Sequence, residues 1–191
     1  MIVIPPAESN AAGHVAAMYA GDLESDGFVF AHTKAMAINP EAHEAFEALI
    51  RAIVPSIGVR NYELATLGAA RGIRSQHCLL AHGRKTLRAN AMDEDQLRRA
   101  AVDYRDADLS PADVAVMAYA EKLSTDAASM TDADSQELRD LGFSDRQIVD
   151  ITLAAAARNY FSRTLQALAV PLDEVPGLSP ALTDALLSPT R

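Results

Sequence analysis

An all-α fold is predicted by three features of the sequence. Helix-start signals recur along it: Asn39-Pro40-Glu41, Ser110-Pro111-Ala112-Asp113, Thr131-x-x-Asp134 and Ser144-x-x-Gln147. Each joins an N-cap residue to a first-turn proline, or to an acid or amide three positions on. The alanine-rich segments between these signals carry apolar residues at helical spacing, and no convincing stretch shows the period of two that a half-buried strand needs. Aromatic residues make up only 5% of the chain and tryptophan is absent, which points the same way.

Taken in order, residues 1–8 read as an extended arm around Pro5-Pro6, followed by a helix over about 9–19 whose apolar marks are Val15, Met18 and Tyr19. Gly27 breaks the next polar stretch, and a short helix over about 28–36 buries Phe28 or Phe30. Asn39-Pro40-Glu41 opens a helix that runs to about Val54 and stops before Pro55. His32 and His43, on these two segments, read as ordinary surface or packing residues. The stretch 60–90 reads as two helices with a break at 71–74, where Gly72 ends the first and Ser75 caps the second.

A charged amphipathic helix follows over about 93–102, and Ser110 opens another that carries to about Ser124 with Val114, Met117 and Ala118 inward. Thr131-x-x-Asp134 caps a short helix that Gly142 ends. Ser144-x-x-Gln147 opens the longest one, over about 145–169, which Pro171 terminates. Between Ile148 and Ala157 only Asp150 is charged, so protein should enclose this helix on most sides, a second subunit included. The tail carries Leu182, Leu186 and Leu187 at helical spacing, as a short segment that docks on the body or on a neighbour.

With 191 residues, 49% of them hydrophobic, the chain suits one domain with a sizeable core, about 36–170, flanked by the arm 1–8 and the tail 171–191. A net charge of −9 disfavours nucleic acid or an anionic membrane as partner. One cysteine excludes an internal disulfide framework and suits a reducing cytoplasm. The opening MIVIPPAESN lacks the basic region and long apolar core of a signal peptide or anchor, and no stretch reaches membrane-spanning length without charge.

Chemistry concentrates in 60–90, which holds the only cysteine, two of the five histidines and an isolated acid. Glu63 lies on a helix that is apolar nearly all round from Leu64 to Ala70, so it must be exposed at the helix start or matched by a donor. His82 is the natural candidate for that donor. Cys78 and His82 are four apart and share a helix face, while Leu79, Leu80, Gly83 and Leu87 fall on the other. Cys78 also stands in the first turn, where the unpaired N–H groups and the macrodipole favour a thiolate. His82 can take the thiol proton and Glu63 can orient the imidazole, the logic of an activated nucleophile.

Each of these residues also has an ordinary structural role open to it. A lone cysteine among leucines is commonly an inert core residue, and it is the fixed spacing to His82 and Glu63 that argues otherwise. Ser75 reads as a plain N-cap, and His77 as a solvent-facing first-turn residue. A metal held by Cys78, His82 and Glu63 has acceptable ligand types but lacks a fourth ligand, so neither metal nor other cofactor is expected there. Arg71, Arg74, Arg84, Lys85 and Arg88 make the region locally basic, a solvated face or a field acting on Cys78 and an anionic substrate.

Glu63 followed by Ser75-x-x-Cys78-x-x-x-His82, with His77 before the cysteine, resembles the pattern Glu-x11-Cys-x-x-Cys-x-x-x-His of the carboxymuconolactone decarboxylase and AhpD-like alkylhydroperoxidase superfamily. The segment 36–54 and the ending FSDRQIVDITLAAAARNYFSRTLQALAVPLDE look like its peroxidase-related branch, so the resemblance covers most of the chain and is weakest at both ends. It implies an AhpD-like helical bundle around a central antiparallel helix pair, a homo-oligomer (dimer, trimer or hexamer), and a peroxidase without metal or cofactor. In that family the second cysteine attacks the peroxide and the first resolves it, with Glu and His residues as a proton relay. Carried over, Cys78 attacks, Glu63, His82 and His77 form the relay, and Ser75 stands where the resolving cysteine would be. A serine forms no disulfide, so an external thiol reductant would restore Cys78.

Three functions follow: a thiol-dependent peroxidase acting on hydrogen peroxide or organic hydroperoxides, a lactone decarboxylase using the His/Glu pair for acid–base work, and a non-catalytic oligomeric or binding protein on the same fold. The first is preferred.

Overall fold

The computed structural model describes residues 12–190. Among them run nine α-helices: α1 (His14–Asp26), α2 (Ala31–Met36), α3 (Pro40–Ile73), α4 (Gln76–Arg88), α5 (Glu94–Asp103), α6 (Pro111–Asp126), α7 (Asp132–Asp140), α8 (Asp145–Ala167) and α9 (Pro180–Leu187). No strand occurs among the described residues, as the sequence predicts. The expected arm 1–8 lies outside them. No described helix is long and apolar enough to cross a membrane.

The capping signals do what their chemistry requires. Asn39 Oδ1 accepts from the Ala42 N–H at 3.0 Å. Ser110 with Asp113, Thr131 with Asp134 and Ser144 with Gln147 each form a reciprocal capping box. Where signals were weaker, boundaries differ from the sequence reading. The first helix begins at His14 and runs to Asp26, further along than expected, because the stop is Gly27 in the left-handed region (φ 78). Of the two phenylalanines before α2, Phe30 is the buried one.

The largest difference is at Pro55, which does not stop α3. The helix continues through it and breaks at Gly58 (φ 75, ψ 161), then resumes to Ile73. Proline removes one hydrogen bond to the preceding turn, which a helix can absorb as a kink. A backbone with φ near +75° and extended ψ is accessible in practice only to glycine. Gly72 likewise does not end α3. Arg74 takes the left-handed conformation (φ 58), with its N–H on the Ala70 and Arg71 carbonyls, and the Ser75 N–H reaches the Ala70 carbonyl at 2.9 Å.

What Gly72 provides is proximity: a Cβ there would lie 2.8 Å from the Glu121 carbonyl oxygen of α6. One turn earlier, a Cβ at Gly68 would lie 2.4 Å from the Met117 carbonyl oxygen. The second arm of α3 therefore packs on α6 backbone to backbone. Leu64, Ala65, Ala69 and Ala70 on this arm have no accessible surface, and α4, α6 and α8 surround it. The tail docks on this body: Leu182 and Leu186 join the main apolar core, so that core extends past residue 170. A second apolar cluster, with Met18, Tyr19, Met36 and Leu165, fixes α1 and α2 against α8.

Gly68→Ala should destabilise the fold by about 1–3 kcal/mol despite alanine's better helix propensity, because the obstruction is backbone that cannot step aside. Gly83→Ala, whose Cβ would meet only the Leu186 side-chain tip at 2.6 Å, should cost less. Denaturant titration of both variants checks the order.

Candidate active site

The left-handed turn at Arg74 folds α4 back along the second arm of α3 and sets Glu63 beside His82. His82 Nδ1 lies 2.7 Å from Glu63 Oε2, with both residues under 5% exposed. Cys78 falls one turn before His82, in the first turn of α4, as the spacing requires. Ser75 is the N-cap residue, but its hydroxyl makes no capping bond. Its ψ of 99 differs from the 155 and 160 of Ser110 and Ser144, which do cap, so the side chain is turned from the helix start.

The sulfur's neighbours come from α8. Ser162 Oγ donates to Cys78 Sγ at 2.9 Å, and Arg158 Nη1 lies 3.6 Å from the same atom. The other end of that guanidinium donates to the Tyr62 hydroxyl at 3.1 Å, and the Phe46 and Phe161 rings lie 6.0 and 5.4 Å from its centre. Arg158 is 4% exposed and, among the described residues, has no carboxylate within ion-pair distance. Burial works against its charge, but the Cys78 sulfur and the Tyr62 oxygen outweigh that and hold its proton more tightly than usual.

Cys78, His82, Tyr62, Arg158, His77 and Lys85 line one cavity of about 430 Å³, whose apolar wall includes Met18, Phe46, Phe161 and Leu165. Burial pushes the Glu63 carboxyl up to about 7, with Lys85 and Arg158 pulling the other way. Burial, with help from Arg158 and Lys85, pushes His82 well below its usual range. The imidazole is thus neutral at neutral pH, and the proton that the pair shares is poised near that pH. Lys85 keeps accessible surface yet is desolvated enough to be held below its ordinary value. Both hold for a side chain whose accessible surface faces a cavity.

Of the residues singled out from the sequence, the structure brings Cys78 and His82 to one cavity wall with Glu63 behind the imidazole. His77 lines the cavity too, but its Nε2 donates to the Pro171 carbonyl at 3.0 Å. Ser75 is buried and off the lining. Of the five basic residues in this region only Lys85 reaches the cavity. Arg71 lies 3.6 Å from Glu121, Arg84 pairs with Asp26, and Arg88 reaches the Ser25 carbonyl. His32 and His43, read as ordinary, both line the cavity. His32 is pushed down to about 3 by burial and by the neighbouring His77, Lys85, His82 and Arg158.

Arg158, Ser162 and Tyr62 were not singled out from the sequence. The available signal was Arg158 itself, a charge directly after the largely apolar stretch 151–157 on a helix expected to be enclosed, with Ser162 four residues on along the same face.

No protein-family model matches the sequence, and none of the curated proteins does either. Solved structures do. A protein from Ralstonia eutropha, described as an alkylhydroperoxidase AhpD core and uncharacterized peroxidase-related protein, superposes with a TM-score of 0.77 at 21% identity, over 98% of this chain and 96% of that one. An uncharacterized peroxidase-related protein from a Silicibacter species gives 0.74 at 26% identity, over 91% of this chain and 95% of that one. The debrominase Bmp8, seen as a cysteine-to-alanine variant in complex with 2,3,4-tribromopyrrole, gives 0.75 at 18% identity, over 96% of this chain and 95% of that one. The chain shares the all-helical, AhpD-like fold of these structures.

The Glu63–His82 pair has a pH signature. Unfolded, the two groups titrate near 4.5 and 6.5; folded, the acid titrates near 7 and the imidazole well below 6.5. Below about pH 6.5 the unfolded pair takes its proton on His82 and the folded pair on Glu63, so the two shifts oppose each other in their effect on stability. Glu63→Gln leaves only the depressed imidazole, whose stabilising contribution is present above pH 6.5 and lost on acidification. The variant should therefore lose stability relative to wild type as the pH falls below about 6.5. Denaturant titrations at several pH values read this directly.

Proposed function

We propose that the protein is a thiol-dependent peroxidase that reduces organic hydroperoxides through Cys78. The observation that carries this reading is the buried Arg158 guanidinium, which pairs with no carboxylate among the described residues and lies against Cys78 Sγ at 3.6 Å. A cation left there at the cost of burial suits a sulfur that bears negative charge when it reacts. The thiolate attacks the distal oxygen of the hydroperoxide, the O–O bond breaks, and the products are a sulfenic acid and an alkoxide. The thiol proton, taken up by the His82–Glu63 pair, returns to the alkoxide to release an alcohol. One external thiol then displaces water from the sulfenic acid, and a second releases Cys78 and leaves as a disulfide. With Ser75 at the position implied for a resolving cysteine, both thiols come from outside.

The cavity favours an organic substrate over hydrogen peroxide. At about 430 Å³ it is far larger than a peroxide needs, and its aromatic and aliphatic wall faces a cationic end. A second reading, that Cys78 and the His82–Glu63 pair act on another small molecule such as a lactone, is supported by the serine at 75, since such chemistry needs no resolving thiol. The debrominase among the similar structures is a further example of different work on this fold.

Steady-state turnover with a dithiol reductant separates the readings. Cumene hydroperoxide should be consumed more efficiently than hydrogen peroxide, Cys78→Ser should abolish turnover, and Arg158→Met should slow it by about a hundredfold. Turnover of neither peroxide, alongside turnover of a lactone, would favour the second reading.

We also propose a homo-oligomer. Val149, Leu153 and Tyr160 expose 54%, 39% and 47% of their surface along one stripe of α8, and Leu49 of α3 exposes 38%. Phe46 joins the two helices by stacking on Tyr160 at 5.8 Å. A second copy is the partner expected to cover this face. Light scattering at micromolar concentration should give more than one chain per particle, and Leu153→Glu should reduce it.

A further inference from the structure

The same cavity carries on another wall a cluster that the thiol chemistry does not use. His14 opens α1, while His43 and Glu47 lie four apart on the first arm of α3, and each offers a ligand atom within 4.8 Å of the others. His14 Nε2 and His43 Nδ1 face each other at 3.3 Å, and Glu47 Oε2 lies 4.0 Å from His14 Nε2. All three residues are half-buried, and His43 and Glu47 line the cavity.

From this geometry we propose that His14, His43 and Glu47 form a divalent transition-metal site that ties α1 to α3 beside the cavity. Two imidazole nitrogens bound at about 2.0–2.1 Å with a tetrahedral angle between them lie about 3.4 Å apart, close to the separation found here. Two neutral nitrogens and one carboxylate oxygen form a borderline donor set, suited to zinc and its first-row neighbours and not to magnesium or calcium. The i, i+4 spacing of His43 and Glu47 puts both on one helix face, and a third ligand from another helix leaves a coordination position open. Arg51, 3.7 Å from Glu47 Oε2, competes for that carboxylate when no ion is bound. The site uses none of the residues assigned to the peroxidase reading and stands independently of it.

The test is zinc titration of the tag-free, chelator-treated full chain by calorimetry, with circular dichroism to establish that each variant is folded. All three side chains are partly exposed, so the substitutions should leave the fold intact. One equivalent of zinc should bind, and His14→Ala, His43→Ala and Glu47→Gln should each weaken binding by about tenfold or more, whereas Cys78→Ser leaves it unchanged. Cobalt in place of zinc should give a d–d spectrum without a sulfur-to-metal charge-transfer band. The proposal is overturned by the absence of binding below about 100 µM, by binding that survives His14→Ala and His43→Ala, or by binding that Cys78→Ser removes, which would place the ion on the thiol instead.

Discussion

A guanidinium buried without a carboxylate is an expensive thing to build, costing several kcal/mol before compensation. Arg158 meets that cost with a sulfur, a phenol oxygen and two aromatic faces, and its Nε has no hydrogen-bond partner among the described residues. The alternative arrangement, an ion pair with Glu63, would neutralise both charges and leave nothing to act on Cys78. Instead the carboxyl is set on His82, and the cation on the sulfur. The carboxyl and the guanidinium are thus kept on two different partners, and the Cys78 sulfur lies with the cation.

Holding that separation requires three helices at fixed spacing. The second arm of α3 supplies Tyr62 and Glu63 from adjacent positions, α4 supplies Cys78 and His82 from adjacent turns, and α8 supplies Arg158 and Ser162 from adjacent turns. The glycines at 68 and 72 bring α3 against the backbone of α6, and the left-handed Arg74 reverses the chain into α4. The cavity opens where α1 and α2, held by their own smaller cluster, lie beside this frame.

The fold was legible because its signals are local. Capping boxes, first-turn prolines and apolar runs act over three or four residues, and the helices at Ser110, Thr131 and Ser144 begin where those signals lie. Pro55 and Gly72 were misread as helix stops: a helix absorbs the proline as a kink, and a stop and a close helix contact both select glycine, so only the packing partner distinguishes them. The Glu63–His82 pairing was legible since an acid on an apolar helix needs a donor. Arg158 and Ser162 were not, because they lie 80 and 84 positions from Cys78 and no spacing rule reaches that far. His32 and His43 looked ordinary for the same reason.

A nucleophilic Cys78 supported by the Arg158 cation, as proposed, must depend on that guanidinium for its reaction with a hydroperoxide. Mass spectrometry after one equivalent of cumene hydroperoxide, with a sulfenic-acid trap present, tests this most directly. Wild type should give a single trapped adduct on Cys78, and Arg158→Met should form it much more slowly. A Cys78 that stays unmodified while the hydroperoxide remains intact, or one that oxidises equally fast without the guanidinium, would contradict it.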